Sequence, residues 1–365
     1  MNIPFVDIKA QYNSIKSEID NAIETVIGQT AFIGGSFATQ FEKDFSDYLG
    51  VDNVVACANG TDSLEILLKA MGVGAGDEVI VPAISWISTS EAISAIGAKP
   101  VFVDVDENNL IDLDKIEAKI SSRTRAIIPV HLYGFPVRMN ILMEIAQKHN
   151  LLVMEDCAQS HGAEVNGKMV GSFGECSSFS FYPGKNLGAY GDAGGMATMN
   201  IDLAKTARAI ANHGQLSKHN HIMEGRNSRM DGIQAAVLSV KLKYLKEWTE
   251  KRIANAALYD KYLNQSIVRP NVPSDLKHVF HLYVIQHEKR DALAIYLKEN
   301  GIETAVHYPT PLPLLPCYTK EREITAELYP VATKSATRIL SLPMFAELTE
   351  EQIQFIAAKV NEFDV

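Results

Sequence analysis

Lys185 lies in a glycine-rich segment that could make its amine reactive. From Ser178 to Gly195 the chain reads SFSFYPGKNLGAYGDAGG, which surrounds the lysine with small and turn-forming residues and with apolar neighbours on both sides. Partial desolvation lowers the pKa of an amine and so frees it to form an imine with a carbonyl compound. A lysine in a loop is more often a solvated charge, and this alternative stays open for the segment taken alone.

Two further polar clusters follow short apolar runs. Asp156 and Gln159 lie in the segment EDCAQSH (155–161), where a carboxylate could pair with a protonated ring nitrogen and make a pyridine ring a strong electron sink. The segment ANGTDS (58–63) turns through Gly60 into a helical pattern, and its backbone N–H groups and hydroxyls suit a phosphate. For both clusters the alternative is ordinary capping of the next helix.

Two less distinctive features complete the candidate set. Trp86 follows another apolar run and could stack on a flat ring, although a core tryptophan would have the same pattern. The polar segment GRNSRMD (225–231) precedes the helical pattern that leaves the first part of the chain. Neither feature indicates a site by itself.

The elements that must position these clusters are short apolar runs that alternate with helical patterns. Such alternation predicts a mostly parallel sheet with helices on both faces, and ligands of these sheets gather beyond the carboxyl ends of the strands. The last two runs follow each other too closely for a helical crossover, so they predict one antiparallel connection. The predicted strands cover residues 53–57, 78–82, 100–104, 125–130, 151–156, 177–182 and 195–199.

Further helical patterns surround the sheet, and together the patterns divide the chain into two expected domains. From about Leu238 the sequence predicts one long charged helix, followed by a strand (HVFHLYVIQ), a helix (DALAIYLKENG) and a terminal helix from Thr349. We expect a large α/β domain over residues 1–240 and a smaller α+β domain over residues 241–365. Near the N-terminus two apolar helical faces are predicted, formed by Ile15, Ile19, Ala22, Ile23 and Val26 and by Phe37, Phe41, Phe45 and Leu49.

The composition narrows the classes of function. With 47% hydrophobic residues and a formal net charge of -10, the chain of 365 residues is typical of a folded globular protein without nucleic acid or a membrane as its main partner. The N-terminus has no leader pattern and no apolar stretch reaches the ~18 residues that span a bilayer, so we expect a cytoplasmic protein. The four cysteines form no C-x-x-C pair, so neither a disulfide framework nor a metal site is expected.

Taken in order, the motifs resemble those of a known family. The series is GTDS (60–63), EDCAQ (155–159), the segment around Lys185, GRNSRMD (225–231) and HYP (307–309). It is similar to that of the sugar aminotransferases of the DegT/DnrJ/EryC1/StrS group, over essentially the whole length from Ile3 to Pro343. The resemblance implies a type I aminotransferase fold, with a mostly parallel seven-stranded sheet in the large α/β domain, and pyridoxal 5'-phosphate as the cofactor.

The resemblance also implies roles for residues around the cofactor ring. Lys185 would be the Schiff-base lysine, and Asp156 would be the partner of the pyridine nitrogen. Gln159 would lie near the phenolic oxygen, and Trp86 would stack on the ring. Lys185 also distinguishes the chain from dehydratases of the group, in which a histidine replaces the lysine.

Further roles concern the phosphate and the substrate. By resemblance, Gly60, Thr61 and Ser180 would hold the phosphate from one subunit. Asn227 would reach the same phosphate from the other subunit, which implies a homodimer with shared active sites. The substrate-side candidates, for which a structural hydrogen bond or a surface position is the alternative, are His161, Arg229, His307 and Tyr308.

The finer function depends on two segments. FYPGKNLGAYGD (181–192) and HVFHLYV (278–284) are most similar to enzymes that use L-glutamate to aminate C3 of a dTDP-linked 3-keto-6-deoxyhexose, in deoxysugar and polysaccharide (O-antigen) biosynthesis. A UDP-linked 3-keto sugar and a 4-keto sugar are alternatives. A regulatory or binding protein with the same fold is a rival, against which the intact Lys185, Asp156 and Gln159 count. An NAD-dependent enzyme is disfavoured, because no G-x-G-x-x-G follows a predicted strand.

Overall fold

The computed structural model describes residues 1–319 and 325–363 and contains a central seven-stranded sheet. In chain order the strands are β1 (Asn53–Cys57), β2 (Glu78–Pro82), β3 (Lys99–Val103), β4 (Thr124–Ile127), β5 (Leu152–Asp156), β6 (Glu164–Val165), β7 (Lys168–Met169), β8 (Cys176–Ser180), β9 (Gly194–Thr198), β10 (Gln215–Ser217), β11 (Asn220–His221), β12 (Leu276–Lys277), β13 (Tyr283–Gln286) and β14 (Ile339–Leu342). The central sheet has the order β1-β9-β8-β5-β4-β2-β3, and the others form the small sheets β12-β6-β7, β10-β11 and β13-β14.

The central sheet confirms the prediction of a mostly parallel fold with an antiparallel element. β9 runs antiparallel to both of its neighbours, and the remaining pairs are parallel. β2 is buried along its whole length, as expected for an apolar strand that is covered on both faces. β4 ends at Ile127 rather than at Val130, because Pro129 lacks the N–H that would continue the ladder.

Helices pack around the sheet and correct one prediction. The expected long charged helix is present as Leu245–Tyr262, but its predicted start at about Leu238 is wrong, because Lys243 and Tyr244 separate two helices. The helix before this break packs on the second and third helices of the chain, and the helix after it packs on the terminal helix. The described helices are α1 (Ile8–Ser14), α2 (Lys16–Gly28), α3 (Gly35–Leu49), α4 (Gly60–Ala70), α5 (Ser88–Ala95), α6 (Met139–His149), α7 (Ile201–Ala211), α8 (Gly232–Leu242), α9 (Leu245–Tyr262), α10 (Arg290–Glu299), α11 (Pro316–Thr319), α12 (Pro330–Ala336) and α13 (Glu350–Phe363).

A second hydrophobic core involves mainly the C-terminal part of the chain. Residues of α9, α10, α13 and the β13-β14 pair form it. Ile3 also belongs to this core: it forms a bridge with Ile302, and its amide donates to the Gly301 carbonyl oxygen at 2.8 Å. The division of the chain at residue 240 stays a prediction, and Ile3 shows that the N-terminal residues contribute to the second core.

Two further observations concern the membrane and the cysteines. Within the part of the chain that the structure describes, no helix combines the length and the apolar content needed to cross a bilayer. All four cysteines are free; Cys57, Cys157 and Cys176 are buried, and Cys317 is exposed.

Candidate active site

A cavity of about 760 Å³ lies at the carboxyl ends of β1, β2, β5 and β8. This volume is within the ordinary range for small-molecule sites. The lining includes most of the residues that the sequence singled out and adds hydroxyl and aromatic side chains that it did not indicate. The lining residues are Asn59, Gly60, Thr61, Asp62, Leu64, Ser85, Trp86, Ser88, Thr89, Val130, Asp156, Ala158, Gln159, Ser180, Tyr182, Lys185, Asp192, His307 and Tyr308.

Asp156 is the last residue of β5 and is almost completely buried. Thr89 donates from Oγ1 to Oδ2 of Asp156 at 2.8 Å, and the Ala158 amide donates to Oδ1 at 3.1 Å. Burial raises the pKa of Asp156, while these hydrogen bonds and the nearby charge of Lys185 act to lower it. The carboxylate is therefore fixed in orientation, and a cationic partner in the cavity would stabilise its charge.

Lys185 lies in a tight loop between β8 and β9. Its amide donates to the Tyr182 carbonyl oxygen at 2.8 Å, and a Cβ at Gly188 would lie 2.3 Å from the Pro183 carbonyl oxygen, so the loop closes closely on itself. Desolvation lowers the pKa of Lys185 to about 8, although the charge of Asp156 acts to raise it. A fraction of the amine is therefore uncharged near neutral pH and can act as a nucleophile.

The Gln159 side-chain amide is fixed by two hydrogen bonds. Its Oε1 accepts from the Tyr133 amide at 2.7 Å, and its Nε2 donates to the Tyr308 hydroxyl at 3.2 Å. Burial raises the pKa of Tyr308 to about 12, so this hydroxyl keeps its proton near neutral pH. Since Nε2 carries two hydrogens, one N–H of Gln159 remains for a ligand in the cavity.

The start of α4 and the end of β8 approach each other closely at one side of the cavity. A Cβ on Gly60 would lie 2.7 Å from the Ser180 Cβ, so the approach requires a glycine. Asn59 caps α4 with its side chain, and the Thr61 hydroxyl lies 2.7 Å from the Ser88 hydroxyl. The first amides of a helix have no intrahelical acceptor, and together with these hydroxyls they suit an anionic group.

Aromatic side chains line the cavity as well. Trp86 is 58% exposed although it is large and apolar, and its ring centroid lies 5.7 Å from that of Tyr308. A tryptophan in this position is free to stack on a flat ligand. The structure thus favours the stacking alternative for Trp86 over a place in the core.

His307 also reaches the cavity, next to Tyr308. Its Nδ1 lies 2.8 Å from the Ser341 hydroxyl, and its carbonyl oxygen accepts from the Tyr133 hydroxyl. Burial, followed by the charge of Lys185, lowers the pKa of His307 to about 4, so the ring is neutral near neutral pH. Both substrate-side candidates of the HYP motif therefore lie beside the other site residues.

His161 lies outside the cavity lining and is fully buried. Its ring centroid is 5.6 Å from those of Phe179 and Phe181 and 6.4 Å from that of Phe45. Neither ring nitrogen has a hydrogen-bond partner of standard geometry within residues 1–319 and 325–363. Burial lowers the pKa of His161 to about 3. The structure therefore does not bring this substrate-side candidate to the cavity surface.

Asn227 and Arg229 are exposed and lie outside the cavity lining of their own chain. Arg229 Nε donates to Asn227 Oδ1 at 3.0 Å. Ser228 between them is buried, and its hydroxyl accepts from the Ala58 amide at 3.3 Å, which fixes the segment beside the β1–α4 turn. The two side chains are thus held on the surface near, but not in, the cavity.

Sequence reasoning missed several residues of the site. Thr89 and Ser85 support Asp156, with their hydroxyls 2.7 Å apart, and Tyr133 holds Gln159 through its backbone. The hydroxyl-rich segment SWIST (85–89) could have pointed to Thr89, because it follows a predicted strand at the cavity edge. Nothing in the sequence around Tyr133 indicated its contact with Gln159.

The residues present fit pyridoxal phosphate. Lys185 offers an amine for an aldehyde, and Asp156 offers a buried carboxylate for a protonated ring nitrogen. The start of α4 suits the phosphate, and Trp86 suits the ring face. All four features line the same cavity.

One family model and several known proteins match the chain over nearly its whole length. The model of the DegT/DnrJ/EryC1/StrS aminotransferase family matches residues 13–361. The pleiotropic regulatory protein of Geobacillus stearothermophilus is 44% identical, with 100% of this chain and 99% of the relative covered. UDP-N-acetyl-3-dehydro-alpha-D-glucosamine 3-aminotransferase of Acidithiobacillus ferrooxidans is 42% identical (98% and 97% covered). dTDP-3-amino-3,4,6-trideoxy-alpha-D-glucose transaminase of Streptomyces venezuelae is 40% identical (99% and 96% covered).

Solved structures agree with the fold and the cofactor. Streptomyces venezuelae DesV in complex with a ketimine intermediate has a TM-score of 0.96 at 40% identity, with 99% of this chain and 98% of that chain covered. Bacillus subtilis NtdA with bound cofactor PMP has a TM-score of 0.90 at 32% identity (99% and 85% covered). The predicted type I aminotransferase fold is therefore confirmed.

Proposed function

Because the chain belongs to the DegT/DnrJ/EryC1/StrS aminotransferase family, we propose that it moves an amino group from L-glutamate to C3 of a dTDP-linked 3-keto-6-deoxyhexose. The chain is a pyridoxal-phosphate-dependent nucleotide-sugar aminotransferase. We propose the identity of its amino donor, the identity of its sugar substrate and the roles of its site residues. The observation that carries it is that Lys185, with a pKa of about 8, and the buried carboxylate of Asp156 line one cavity.

When bound, pyridoxal phosphate supplies an aldehyde that takes up the amino group and a ring that withdraws electrons from the reacting carbon. Asp156 would keep the ring nitrogen protonated, and the free N–H of Gln159 would be available to the phenolic oxygen. Trp86 would stack on the ring. The first amides of α4, together with Gly60, Thr61 and Ser180, would hold the phosphate.

Lys185 has two roles in the proposal. It would hold the cofactor at rest, and its amine, once free, would move a proton. The Nζ atom would carry the proton from the α-carbon of the donor to the C4' carbon of the cofactor, and in the amination of the sugar it would carry a proton from C4' to the sugar carbon that bears the new amine. A pKa of about 8 suits both directions of this transfer near neutral pH, because neither form of the amine is strongly disfavoured.

Relatives with similar identity support amination at C3 but differ in the nucleotide. The relative at 42% identity is named for a UDP-linked 3-dehydro sugar, and the relative at 40% identity is named for a dTDP-linked 3-amino sugar. The segment HVFHLYV (278–284) favours the dTDP-linked substrate, with a UDP-linked 3-keto sugar and a 4-keto sugar as the alternatives. His307 and Tyr308 line the cavity, and we assign them to the substrate side.

A homodimer is part of the proposal. Asn227 and Arg229 are exposed and lie outside the cavity of their own chain, whereas the family resemblance implies a contact between Asn227 and a cofactor phosphate. The exposed position is compatible with this implied contact if the segment serves the cavity of a second copy. We therefore propose that two copies share their active sites.

A regulatory role is the second candidate, because the relative at 44% identity is named a pleiotropic regulatory protein. A protein that only binds would not need a reactive amine beside a buried carboxylate. Lys185 and Asp156 therefore favour catalysis.

The decisive experiment gives the purified protein L-glutamate and a panel of keto-sugars linked to dTDP or UDP. Release of 2-oxoglutarate measures turnover, and NMR of the product locates the new amine. We expect the highest kcat/KM with the dTDP-linked 3-keto-6-deoxyhexose and an amine at C3. A higher kcat/KM with a UDP-linked or 4-keto sugar would replace the proposed substrate, and no turnover on any sugar would favour the regulatory role.

A further inference from the structure

Lys241 lies near the end of α8 and is fully buried, which is rare for a lysine. Its Nζ donates to the Gly188 carbonyl oxygen at 2.7 Å and lies 4.3 Å from the centroid of the Tyr190 ring. Both contacts are with the loop that carries Lys185. Burial lowers the pKa of Lys241 to about 8, although the charge of Glu347 acts to raise it.

A buried ammonium group loses its hydration, and this cost must be offset by contacts within the protein. The Lys241 ammonium group donates a charge-assisted hydrogen bond to the Gly188 carbonyl oxygen and makes a cation–π contact with the Tyr190 ring. An apolar side chain could fill the same space without the cost of desolvation. The presence of a lysine is therefore best explained by what its ammonium group holds in place.

α8 holds the same loop at a second point. Gln234 Oε1 accepts from the Tyr190 amide at 2.8 Å, and a Cβ on Gly191 would lie only 2.9 Å from Gln234 Nε2. The Tyr190 hydroxyl is buried without a hydrogen-bond partner in the described part of the chain. The Tyr190 ring is thus positioned by packing and by Lys241, not by its hydroxyl group.

The segment between these contacts and Lys185 has little room to adjust. Gly188 is so close to the Pro183 carbonyl oxygen that a Cβ would lie 2.3 Å from it. On the other side of the loop, Asn186 is buried and its Nδ2 donates to the Val279 carbonyl oxygen at 3.3 Å. A shift of the Gly188 carbonyl group would therefore be transmitted to Lys185 and not absorbed within the loop.

We propose that Lys241 is a positioning residue that holds the loop so that the Lys185 amine stays correctly placed in the cavity. Lys241 lies outside the cavity lining and acts through Gly188. The inference deepens the proposed function and rests on the role proposed there for Lys185.

The test compares Lys241→Met with a matched control, Lys243→Met, in the full-length holoenzyme. Lys243 follows α8 directly, but it is exposed and its Nζ lies 3.7 Å from Glu18. Amide hydrogen exchange is measured for the peptide that covers residues 182–190, and the pH midpoint of the visible cofactor absorbance and kcat are measured in parallel. In Lys241→Met we expect amide exchange in this peptide to be at least about tenfold faster than in the wild type. We also expect a changed pH midpoint of the cofactor absorbance and a lower kcat. In Lys243→Met we expect wild-type values.

A purely structural role for Lys241 predicts a different pattern. The rate of amide exchange would then increase across α8 and its neighbours, and Tm would be lower. The exchange rate of the 182–190 peptide and the absorbance midpoint of the folded protein would stay at wild-type values. This result would overturn the proposal. If Lys241→Met does not fold, Lys241→Gln, which keeps an uncharged donor, is judged by the same two measurements. A measurement on the wild-type protein distinguishes the role of Lys241 from the proposed role of Lys185. If the wild type showed no visible absorbance from cofactor bonded to Lys185, the role of Lys185 itself would be refuted.

Discussion

Thr89 Oγ1 lies 2.8 Å from Oδ2 of Asp156 and donates a buried hydrogen bond to this carboxylate. Thr89 belongs to α5, whereas Asp156 ends β5, so the bond joins two elements that are distant in sequence. Both side chains are almost fully buried, and bulk water cannot easily replace the bond. The orientation of the proposed ring-nitrogen partner therefore depends on a residue that itself needs no contact with the cofactor.

Thr89→Val should lower kcat about tenfold, because it removes a hydrogen bond to a charged group and keeps the shape of the side chain. Asp156→Ala should lose nearly all transamination and keep some cofactor. Steady-state kinetics with L-glutamate measure both effects. Thr39→Val on α3 is the control, because the exposed Thr39 hydroxyl only bonds the Gly35 carbonyl oxygen of its own helix. Wild-type kcat in Thr89→Val would show that Asp156 is held without it.

Lys185→Ala should still bind pyridoxal phosphate but should not exchange the carbon-bound hydrogen of the aminated sugar, because the proposed proton carrier is gone. Mass spectrometry in deuterated water measures the exchange. In the wild-type protein, borohydride should attach the cofactor to the peptide that contains Lys185.

Two results would contradict this role of Lys185. Label on another lysine after borohydride treatment would show that the cofactor is bonded elsewhere. Hydrogen exchange at the wild-type rate in Lys185→Ala would show that another group moves the proton.

Asn227→Ala should weaken cofactor binding in a protein that remains dimeric, because the proposed phosphate contact crosses between subunits. Sedimentation measures the mass, and titration with pyridoxal phosphate measures the affinity. In a mixed dimer of Asn227→Ala and Lys185→Ala chains, half of the sites should lack both side chains and half should be intact. Full activity in a dilute, monomeric wild-type sample would refute shared sites.

His161→Phe should make the stability of the fold less dependent on pH. The pKa of His161 is lowered from 6.5 to about 3 in the folded protein, so the unfolded chain binds a proton that the folded chain excludes. This contribution is fully present above pH ~6.5 and is lost as the pH falls from there towards ~3. Between pH ~6.5 and ~5 the loss amounts to up to about 2 kcal/mol for one such group.

Urea unfolding of His161→Phe and wild type at about pH 7.5 and about pH 5 measures the difference. Phenylalanine suits a site formed by Phe45, Phe179 and Phe181. The wild type should lose more stability than the variant on acidification, and the variant should keep its KM for the sugar. An equal loss in both proteins would show that His161 takes up its proton without unfolding.

Much of the fold could be predicted from the sequence, because it depends on local patterns. The apolar runs marked the strands of the central sheet, and the short interval between β8 and β9 indicated their antiparallel pairing. The break at Lys243 and Tyr244 could not be predicted, since the charged pattern continues through it. It arises from tertiary packing, because α8 packs on α2 and α3 whereas α9 packs on α13.

The candidate site shows the same division. The polar residues at strand ends, such as Asp156 and Gly60, could be identified because parallel strands bring their carboxyl ends together. Tyr133 could not, because its contact with Gln159 depends on a left-handed backbone turn at Tyr133. For Thr89 the hydroxyl-rich segment 85–89 was a signal, but its bond to Asp156 depends on how α5 is placed in space. The burial of His161 among three phenylalanine rings was also unpredictable, since those residues are separated from it along the chain.

The place of Ile3 in the second core has a consequence for how the protein is made. Ile3 leaves the ribosome before its partners Gly301 and Ile302 are synthesised. The Ile3 side chain therefore stays without these packing partners until translation has passed residue 302. A fragment that begins at residue 241 would lack Ile3, so one position of its hydrophobic core would be unfilled. A fusion partner joined at Met1 would lie close to the bridge between Ile3 and Ile302.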